Sequence, residues 1–197
     1  GIEIITPIRD MQLSRQQEID YLKSKGVNMN FEKSVYSINK GLWGTSVGGK
    51  ETLSSNGMLP EEAWPTQLSK HDSEQVKLHF ETGELTAVND KKFDQPVEAI
   101  QYLQSIAGPY AIGRDVHVGD TVIWIKGRVG FEAAAPILII KAHHALEKHV
   151  LTKWQLTMKS QLADFYGNWL HEGQLLDPVM RDIEAFFTSS QQNMTGD

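Results

Sequence analysis

The chain contains no cysteine, so it can form neither a disulfide nor a thiolate metal site. This absence agrees with a cytoplasmic location, which is the one we expect. Basic residues are also few, because 19 Lys and Arg stand against 25 Asp and Glu and give a formal net charge of −6. Since a nucleic-acid surface needs clustered Lys and Arg, we expect no nucleic-acid partner.

Long apolar segments and common catalytic motifs are absent as well. The longest apolar run, residues 133–140, is much shorter than the roughly 20 residues that span a bilayer, so we expect no membrane partner. Ser, His and Asp all occur, but the sequence has no GxSxG nucleophile motif. A near match to a phosphate-binding loop, GTSVGGK at 44–50, is one residue short and continues with Glu51 instead of Ser or Thr.

The order of the predicted elements indicates an α+β fold. A strand at residues 2–5 and a helix capped by Ser14 and Gln17 would form a strand–helix remnant of an α/β layer, and we expect the chain to be a piece of a longer protein. The remainder predicts antiparallel hairpins packed with long helices. Hairpins are predicted at 75–88 and 112–126, the second with its turn at Gly119-Asp120, and helices after Asp94, at 133–149, after Thr152 and after Asp177.

The most distinctive stretch is YSINKGLWGTSVGGK, residues 36–50, which combines four glycines with the hydroxyls of Ser37, Thr45 and Ser46. Glycine lets a backbone approach a ligand closely, and hydroxyls can hydrogen-bond to a small polar molecule. We expect Leu42 and Trp43 to anchor the loop to a core. The stretch therefore predicts a small-ligand loop, with a ligand-free glycine-rich connection as the alternative.

Histidines raise the possibility of a metal site. His143 and Glu147 are one turn apart on a predicted helix, next to His144. A catalytic zinc site needs at least a third ligand, usually from another element, and the possible partners His117 and His171 have no support from the sequence pattern. Helix capping or hydrogen bonding in the core is therefore favoured over a metal-dependent hydrolase.

Four charged residues border the second predicted hairpin. Asp120 and Glu132 either line a pocket together or are solvated turn carboxylates. Arg114 and Arg128 bracket the same hairpin and either clamp a carboxylate ligand or brace the loop through ion pairs.

An aromatic-rich stripe recurs at helical spacing in residues 154–169 and includes Trp154, Phe165 and Trp169. Aromatic side chains dominate cores and interfaces alike. We expect this stripe to be buried, either in the chain's own core or against another subunit, and not to bind a cofactor.

Five segments in register resemble the argininosuccinate synthase family. In chain order they read YSINKGLWGTS, IGRDVHVGD, KGRVGFEAAAPILIIKAH, LEKHVLTKWQ, and MRDIEAFF followed by SSQQNMTG. No single segment is decisive, but their order and spacing hold over essentially the whole chain. The agreement of the five segments therefore identifies the chain as similar to this family.

The resemblance implies an ATP-dependent carbon–nitrogen ligase of arginine biosynthesis that joins citrulline and aspartate through a citrullyl-adenylate. The family's SGGxDxS pyrophosphate motif is absent here. Residues 1–33 are then the C-terminal end of the nucleotide-binding domain, and residues 34–197 are the synthetase domain, truncated before its end. The segment is expected to be inactive alone, and ATP with magnesium is expected to bind only the full-length enzyme.

The resemblance also assigns site residues. Ser37 and Ser46 match two family serines that bind citrulline. Gly119 stands where the family has a citrulline-binding glutamate, so the neighbouring Asp120 becomes the candidate substitute. Phe131 replaces a family tyrosine, which removes a hydroxyl contact. No catalytic residue and no metal ligand of this chain follows from the resemblance.

The family assembles as a homotetramer, so a homo-oligomer is the expected state. A second hypothesis is a non-catalytic small-ligand-binding or oligomerisation module, which agrees with the aromatic stripe and with the absent phosphate motif. The upstream coding sequence discriminates between the two, because SGGxDxS supports the ligase and an in-frame start codon just before Ile2 supports the module.

Overall fold

A computed structural model describes residues 2–29, 31, 36–120 and 125–197. Within these residues the chain forms six α-helices and seven β-strands, and the predicted α+β class is confirmed. The helices are α1 Pro7–Met11, α2 Arg15–Ser24, α3 Pro96–Ala107, α4 Ala134–Val150, α5 Lys153–His171 and α6 Pro178–Gln191. The strands are β1 Ser37–Gly41, β2 Gly44–Gly48, β3 Leu78–Glu81, β4 Glu84–Val88, β5 Lys91–Lys92, β6 Arg114–Asp120 and β7 Lys126–Glu132.

The chain divides into two compact units. The first comprises the described residues up to Asn39 together with Ser46–Trp64 and Val116–Gly130, and the second comprises Lys40–Thr45, Pro65–Asp115 and Phe131–Asp197. This division into compact units does not test the domain boundary predicted after residue 33, which stays a prediction. None of the helices in the described residues combines the length and the apolarity that crossing a bilayer requires.

The N-terminal segment contains the predicted helix but not the predicted strand. The capping box is confirmed, because the Ser14 hydroxyl accepts from the N–H of Gln17 and the Ser14 N–H donates to Gln17 Oε1 at 2.8 Å. The strand expected at residues 2–5 is wrong in the described part of the chain, where this segment is irregular and Ile2 is 96% exposed. A strand is stabilised by pairing, and the described residues show no strand pairing for this segment.

One sheet has four strands in the order β1-β2-β7-β6. The turn predicted at Gly119-Asp120 is wrong, because both residues belong to β6. Gly119 does not adopt the positive φ that a tight hairpin turn uses, so the strand continues through it. Of the second strand predicted at 121–126, residues 121–124 lie outside the described residues and β7 begins at Lys126.

The second unit is built on the three-stranded sheet β3-β4-β5. The β3–β4 hairpin is confirmed, with positive φ at Thr82 and Gly83 in its turn and antiparallel pairing that brings Leu78 opposite Val88. α3 and α4 pack on this hairpin. The shared core consists of Leu78, Phe80, Val88, Leu103 and Ala135.

The C-terminal segment pairs with the edge of this sheet. Phe80 and Gly196 exchange two backbone hydrogen bonds, with N–O distances of 2.8 and 2.9 Å. Met194 is fully buried beside them, and its carbonyl accepts from the N–H of Gly83 at 2.8 Å. The last residues of the chain therefore close the open edge of β3.

Helix α5 begins at the predicted capping box of Thr152 and Gln155, but its aromatic stripe is not buried as expected. No residue of α5 is buried, and Trp154 is 70% exposed. Among the described residues, the principal neighbour of α5 is α6. The Tyr166 hydroxyl of α5 donates to Glu184 of α6 at 2.8 Å. A single flanking helix can cover only one side of α5, so burial in the chain's own core is wrong and burial against another subunit stays a prediction.

We predict that Leu103→Ala lowers the free energy of unfolding by about 2–5 kcal/mol, because it opens a cavity in the core. Leu103 is fully buried. Val97 provides a control on the same helix, since it is 47% exposed. Urea denaturation measures both variants, and a Leu103→Ala loss no larger than that of Val97→Ala would contradict this core.

Candidate functional site

The glycine-rich stretch folds as a hairpin with hydroxyls on both strands. Ser37 lies on β1 and Ser46 on β2, and the two strands are joined by the two residues Leu42 and Trp43. Asn39 Nδ2 lies 3.4 Å from Ser46 Oγ, within hydrogen-bond distance across the hairpin. Ser37 is exposed and Ser46 is half-buried, so both hydroxyls remain available to a small polar molecule.

The apolar tip of this hairpin is not the anchor that the sequence predicts. Leu42 is 44% exposed and Trp43 is 49% exposed, so neither side chain is buried in a core of the described residues. The buried positions are Thr45 and Val47, which alternate with less buried neighbours along β2. Alternation of this kind places one face of a strand inward and the other toward solvent.

Phe131, a candidate site residue, lies directly against this hairpin. Its ring covers the α-carbon of Gly44, so that a Cβ placed on Gly44 would lie 2.3 Å from Phe131 Cζ and 2.6 Å from Cε1. Gly44 also has a φ of 151°. The contact is possible because residue 44 has no side chain, and it connects the start of β2 with the end of β7.

Glu132, the next residue of β7, is a buried carboxylate. Thr66 Oγ1 donates to its Oε1 at 2.5 Å, and Arg114 Nε lies 3.7 Å from its Oε2. Arg114 also donates to the carbonyl of Thr66. Of the two roles considered for Arg114, bracing by an ion pair is the one that this geometry supports.

The other two charged residues near the second predicted hairpin are held separately. Asp120 Oδ1 lies 2.5 Å from Lys126 Nζ, and both side chains are 66% exposed. An exposed pair of this kind contributes little to stability, so Asp120 remains available to a ligand. Arg128 donates to the backbone carbonyls of Glu51, Ser54 and Gly57 and thereby closes that loop.

A cavity of about 620 Å³ lies within the second unit, a size that falls in the range of small-molecule pockets. Its polar lining consists of Lys40, Thr45, Thr66, Gln101, Gln104, Ser105 and Glu132. The three residues from α3 share one face of that helix by their i, i+3, i+4 spacing. These three residues were not predicted as site residues, although their spacing on one helix face was the signal available in the sequence.

The histidines of α4 surround a buried carboxylate instead of forming a metal site. Glu147 is 2% exposed and accepts from Lys159 Nζ at 2.8 Å and from Gln191 Nε2 at 3.1 Å. His143 Nδ1 and His144 Nδ1 lie 3.6 and 3.5 Å from its oxygens. In the part of the chain that the structure describes, no group of three His, Asp or Glu side chains is arranged so that it could hold a metal ion.

These contacts shift the pKa values of Glu147 and His143. Burial by itself would raise the pKa of Glu147, but the hydrogen bond and charge of Lys159, together with His143 and Gln191, outweigh burial and lower that pKa. Burial lowers the pKa of His143 by more than the nearby Glu147 raises it. The arrangement therefore favours an ionised Glu147 paired with Lys159.

The partial phosphate-loop match at 44–50 does not form such a loop. Residues Gly44–Gly48 are a strand, and a 3₁₀ turn at Lys50–Leu53 follows in place of an α-helix. Lys50 Nζ lies 3.9 Å from the carboxylate of Glu51. A phosphate cradle needs a helix N-terminus and a free lysine, so this stretch is unsuited to hold a nucleotide.

Comparison with known proteins identifies similar chains. The family model for the "Arginosuccinate synthase C-terminal domain" matches residues 36–197. The argininosuccinate synthase of Methanocaldococcus jannaschii is 36% identical over 198 residues, which cover 99% of this chain and 50% of that protein. The enzyme of Methanopyrus kandleri is 33% identical over 98% of this chain, and that of Xanthomonas campestris is 34% identical over 99%. The chain spans about half the length of these relatives.

We predict that Lys159→Met destabilises the protein by about 3–5 kcal/mol at neutral pH, because it leaves the Glu147 carboxylate buried without its cation. The lowered pKa of Glu147 means that the pair stabilises the fold above the pKa of an unfolded glutamate, about 4.3, and that this contribution is lost as the pH falls through the folded pKa. Urea denaturation at about pH 7 and pH 4 should therefore show a smaller difference between variant and wild type in acid.

The matched control is Lys153→Met, which removes an exposed lysine from the same helix. It should change stability by less than about 0.5 kcal/mol at either pH. Equal effects of the two variants at neutral pH would show that Lys159 does not stabilise a buried charge.

Proposed function

The chain belongs to the argininosuccinate synthase family, and we propose that the full-length protein containing it joins citrulline and aspartate in an ATP-dependent ligation of arginine biosynthesis. The citrulline ureido oxygen attacks the α-phosphate of ATP and releases pyrophosphate, which leaves a citrullyl-adenylate. The aspartate amine then attacks the activated carbon and displaces AMP, giving argininosuccinate. The observation that carries this proposal is the family match over residues 36–197.

Within this reaction we assign to the chain the task of holding citrulline. Ser37 and Ser46 present hydroxyls from the two strands of one hairpin, and a hydroxyl can donate to a carboxylate or accept from an ammonium group. Holding the ureido group in line with the phosphate accelerates the first step through positioning. Asp120 is the candidate substitute for the family glutamate, and Phe131 supplies an apolar wall where the family has a tyrosine.

The phosphate chemistry is assigned to the remainder of the full-length protein. The stretch at 44–50 is a strand followed by a 3₁₀ turn, which does not suit a magnesium nucleotide complex. We therefore place ATP and its magnesium in a nucleotide-binding domain that ends at about residue 33, and residues 34–197 in the synthetase domain. On this proposal the 197-residue segment by itself binds neither ATP nor magnesium and does not turn over.

The proposed assembly is a cytoplasmic homo-oligomer, a tetramer as in the family. Its support is the exposed aromatic stripe of α5, where Trp154 and Phe165 are 70% and 54% exposed. The same stripe favours the second candidate, a non-catalytic ligand-binding or oligomerisation module. Formation of argininosuccinate by the full-length protein, with citrulline, aspartate and ATP supplied, separates the two candidates.

We predict that Ser46→Ala in the full-length protein raises the citrulline KM or lowers kcat while the ATP KM changes little. Loss of a hydrogen bond costs about 1 kcal/mol with a neutral partner and about 1.5–3 kcal/mol with a charged one. Steady-state pyrophosphate release with citrulline and ATP varied in turn measures both constants. Ser189→Ala, at an exposed position of α6, is the control.

Two results would count against this proposal in different ways. Citrulline kinetics that match those of Ser189→Ala would refute the assignment of Ser46. A wild-type protein that forms no argininosuccinate would refute the function itself.

A further inference from the structure

The contact between Gly44 and Phe131 affects the position of the β1–β2 hairpin, to which we assign the binding of citrulline. We infer that Gly44 is a positioning residue, whose missing side chain lets β2 lie on the Phe131 ring and thereby sets where the Ser46 and Ser37 hydroxyls stand. This inference rests on the proposed function, because it concerns the binding of citrulline.

The geometry leaves no room for a side chain at residue 44. The three atoms nearest to a Cβ placed there all belong to the Phe131 ring, at 2.3, 2.6 and 3.2 Å. Ordinary contacts with a Cβ lie at 3.4–4 Å, so alanine would force a separation of roughly 1 Å. The φ of 151° at Gly44 is a second reason for glycine, since residues with a side chain rarely adopt it.

The hairpin is expected to move in preference to the backbone of β7. Phe131 is followed on β7 by Glu132, whose carboxylate is buried and held by Thr66 and Arg114. Shifting this part of β7 would disturb a buried, hydrogen-bonded charge, which is costly. Strand β1 is exposed along its whole length, whereas β2 buries Thr45 and Val47, so we expect a displacement that is largest at the Gly44 end of β2 and in β1.

Movement of the hairpin would carry the serines with it. Ser46 is two residues beyond Gly44 and therefore on the same face of β2. Ser37 lies on the partner strand, and Asn39 of that strand lies within hydrogen-bond distance of Ser46. A misplacement of about 1 Å can reduce catalysis a hundredfold. The contact between Gly44 and the Phe131 ring can therefore control citrulline binding, although neither residue supplies a hydrogen-bonding side chain.

Gly48 provides a control within the same strand. It is four residues beyond Gly44, on the same face of β2 by strand alternation. No atom lies within 4 Å of a Cβ placed on Gly48, and its φ is not in the positive region. The requirement for glycine is thus specific to the position that touches Phe131.

The test is steady-state kinetics of the full-length protein carrying Gly44→Ala, Gly48→Ala or Phe131→Leu, and the double variant Gly44→Ala with Phe131→Leu. Gly44→Ala should raise the citrulline KM or lower kcat by about ten- to a hundredfold, with the ATP KM within about twofold. Gly48→Ala should match the wild type. Leucine lacks the Cζ and Cε atoms that cause the clash, so the double variant should recover part of the loss.

The outcomes separate this inference from the proposed function. If the wild type forms argininosuccinate but Gly44→Ala behaves as Gly48→Ala does, the inference is overturned and the function stands. Equal losses toward ATP and citrulline, or no recovery in the double variant, would show a general folding defect and also overturn it. If the wild type forms no product, the proposed function fails, and the inference about citrulline fails with it.

One further variant keeps the inference testable if Gly44→Ala does not fold. Phe131→Leu alone removes the surface that supports the hairpin, so it should change the citrulline KM and leave the ATP KM within about twofold. Where Gly44→Ala does fold, its crystal structure should show β1 and β2 displaced from their wild-type positions. An unmoved hairpin would overturn the inference whatever the kinetics.

Discussion

The buried carboxylate of Glu132 is the constraint on which the candidate site depends. An ionised carboxylate is stable inside a protein when it is paired and hydrogen-bonded, and here Thr66 and Arg114 serve those roles. Glu132 lies on β7, Arg114 on β6 and Thr66 in the segment before β3. The contacts of the Glu132 carboxylate therefore connect three parts of the chain. It also fixes the backbone next to Phe131, so the ring has a defined position for the hairpin to rest upon.

The site therefore combines a fixed ring with an exposed hairpin. The sequence predicts Trp43 as the anchor of this hairpin, but its indole lies in the solvent-exposed turn, and the contact with the body of the protein comes from Phe131 instead. On this inference, glycine at residue 44 permits the close contact with Phe131, and making the loop flexible is not its role. Flexibility and close approach are separate uses of glycine, and a sequence shows only that glycine is present.

Elements controlled by neighbouring residues were predictable from the sequence. The capping boxes at Ser14 and Thr152 and the α+β class all follow from spacings of a few residues. Contacts between distant residues were not, because Thr66 and Glu132 are 66 positions apart and no local pattern pairs them. The expected strand at residues 2–5 and the expected burial of α5 in the chain's own core failed for the same reason, since both depend on partners that a periodicity does not specify.

The division of labour in the proposed reaction follows from what the chain does and does not provide. Transfer of an adenylyl group requires groups that stabilise phosphate charge, and the stretch most similar to such a cradle is a strand followed by a 3₁₀ turn. Citrulline, in contrast, requires hydrogen-bonding groups held in place, which a hairpin on a fixed ring can supply. On the proposed function, a chain that spans half of its relatives positions citrulline, and the phosphate chemistry is assigned to the remainder of the full-length protein.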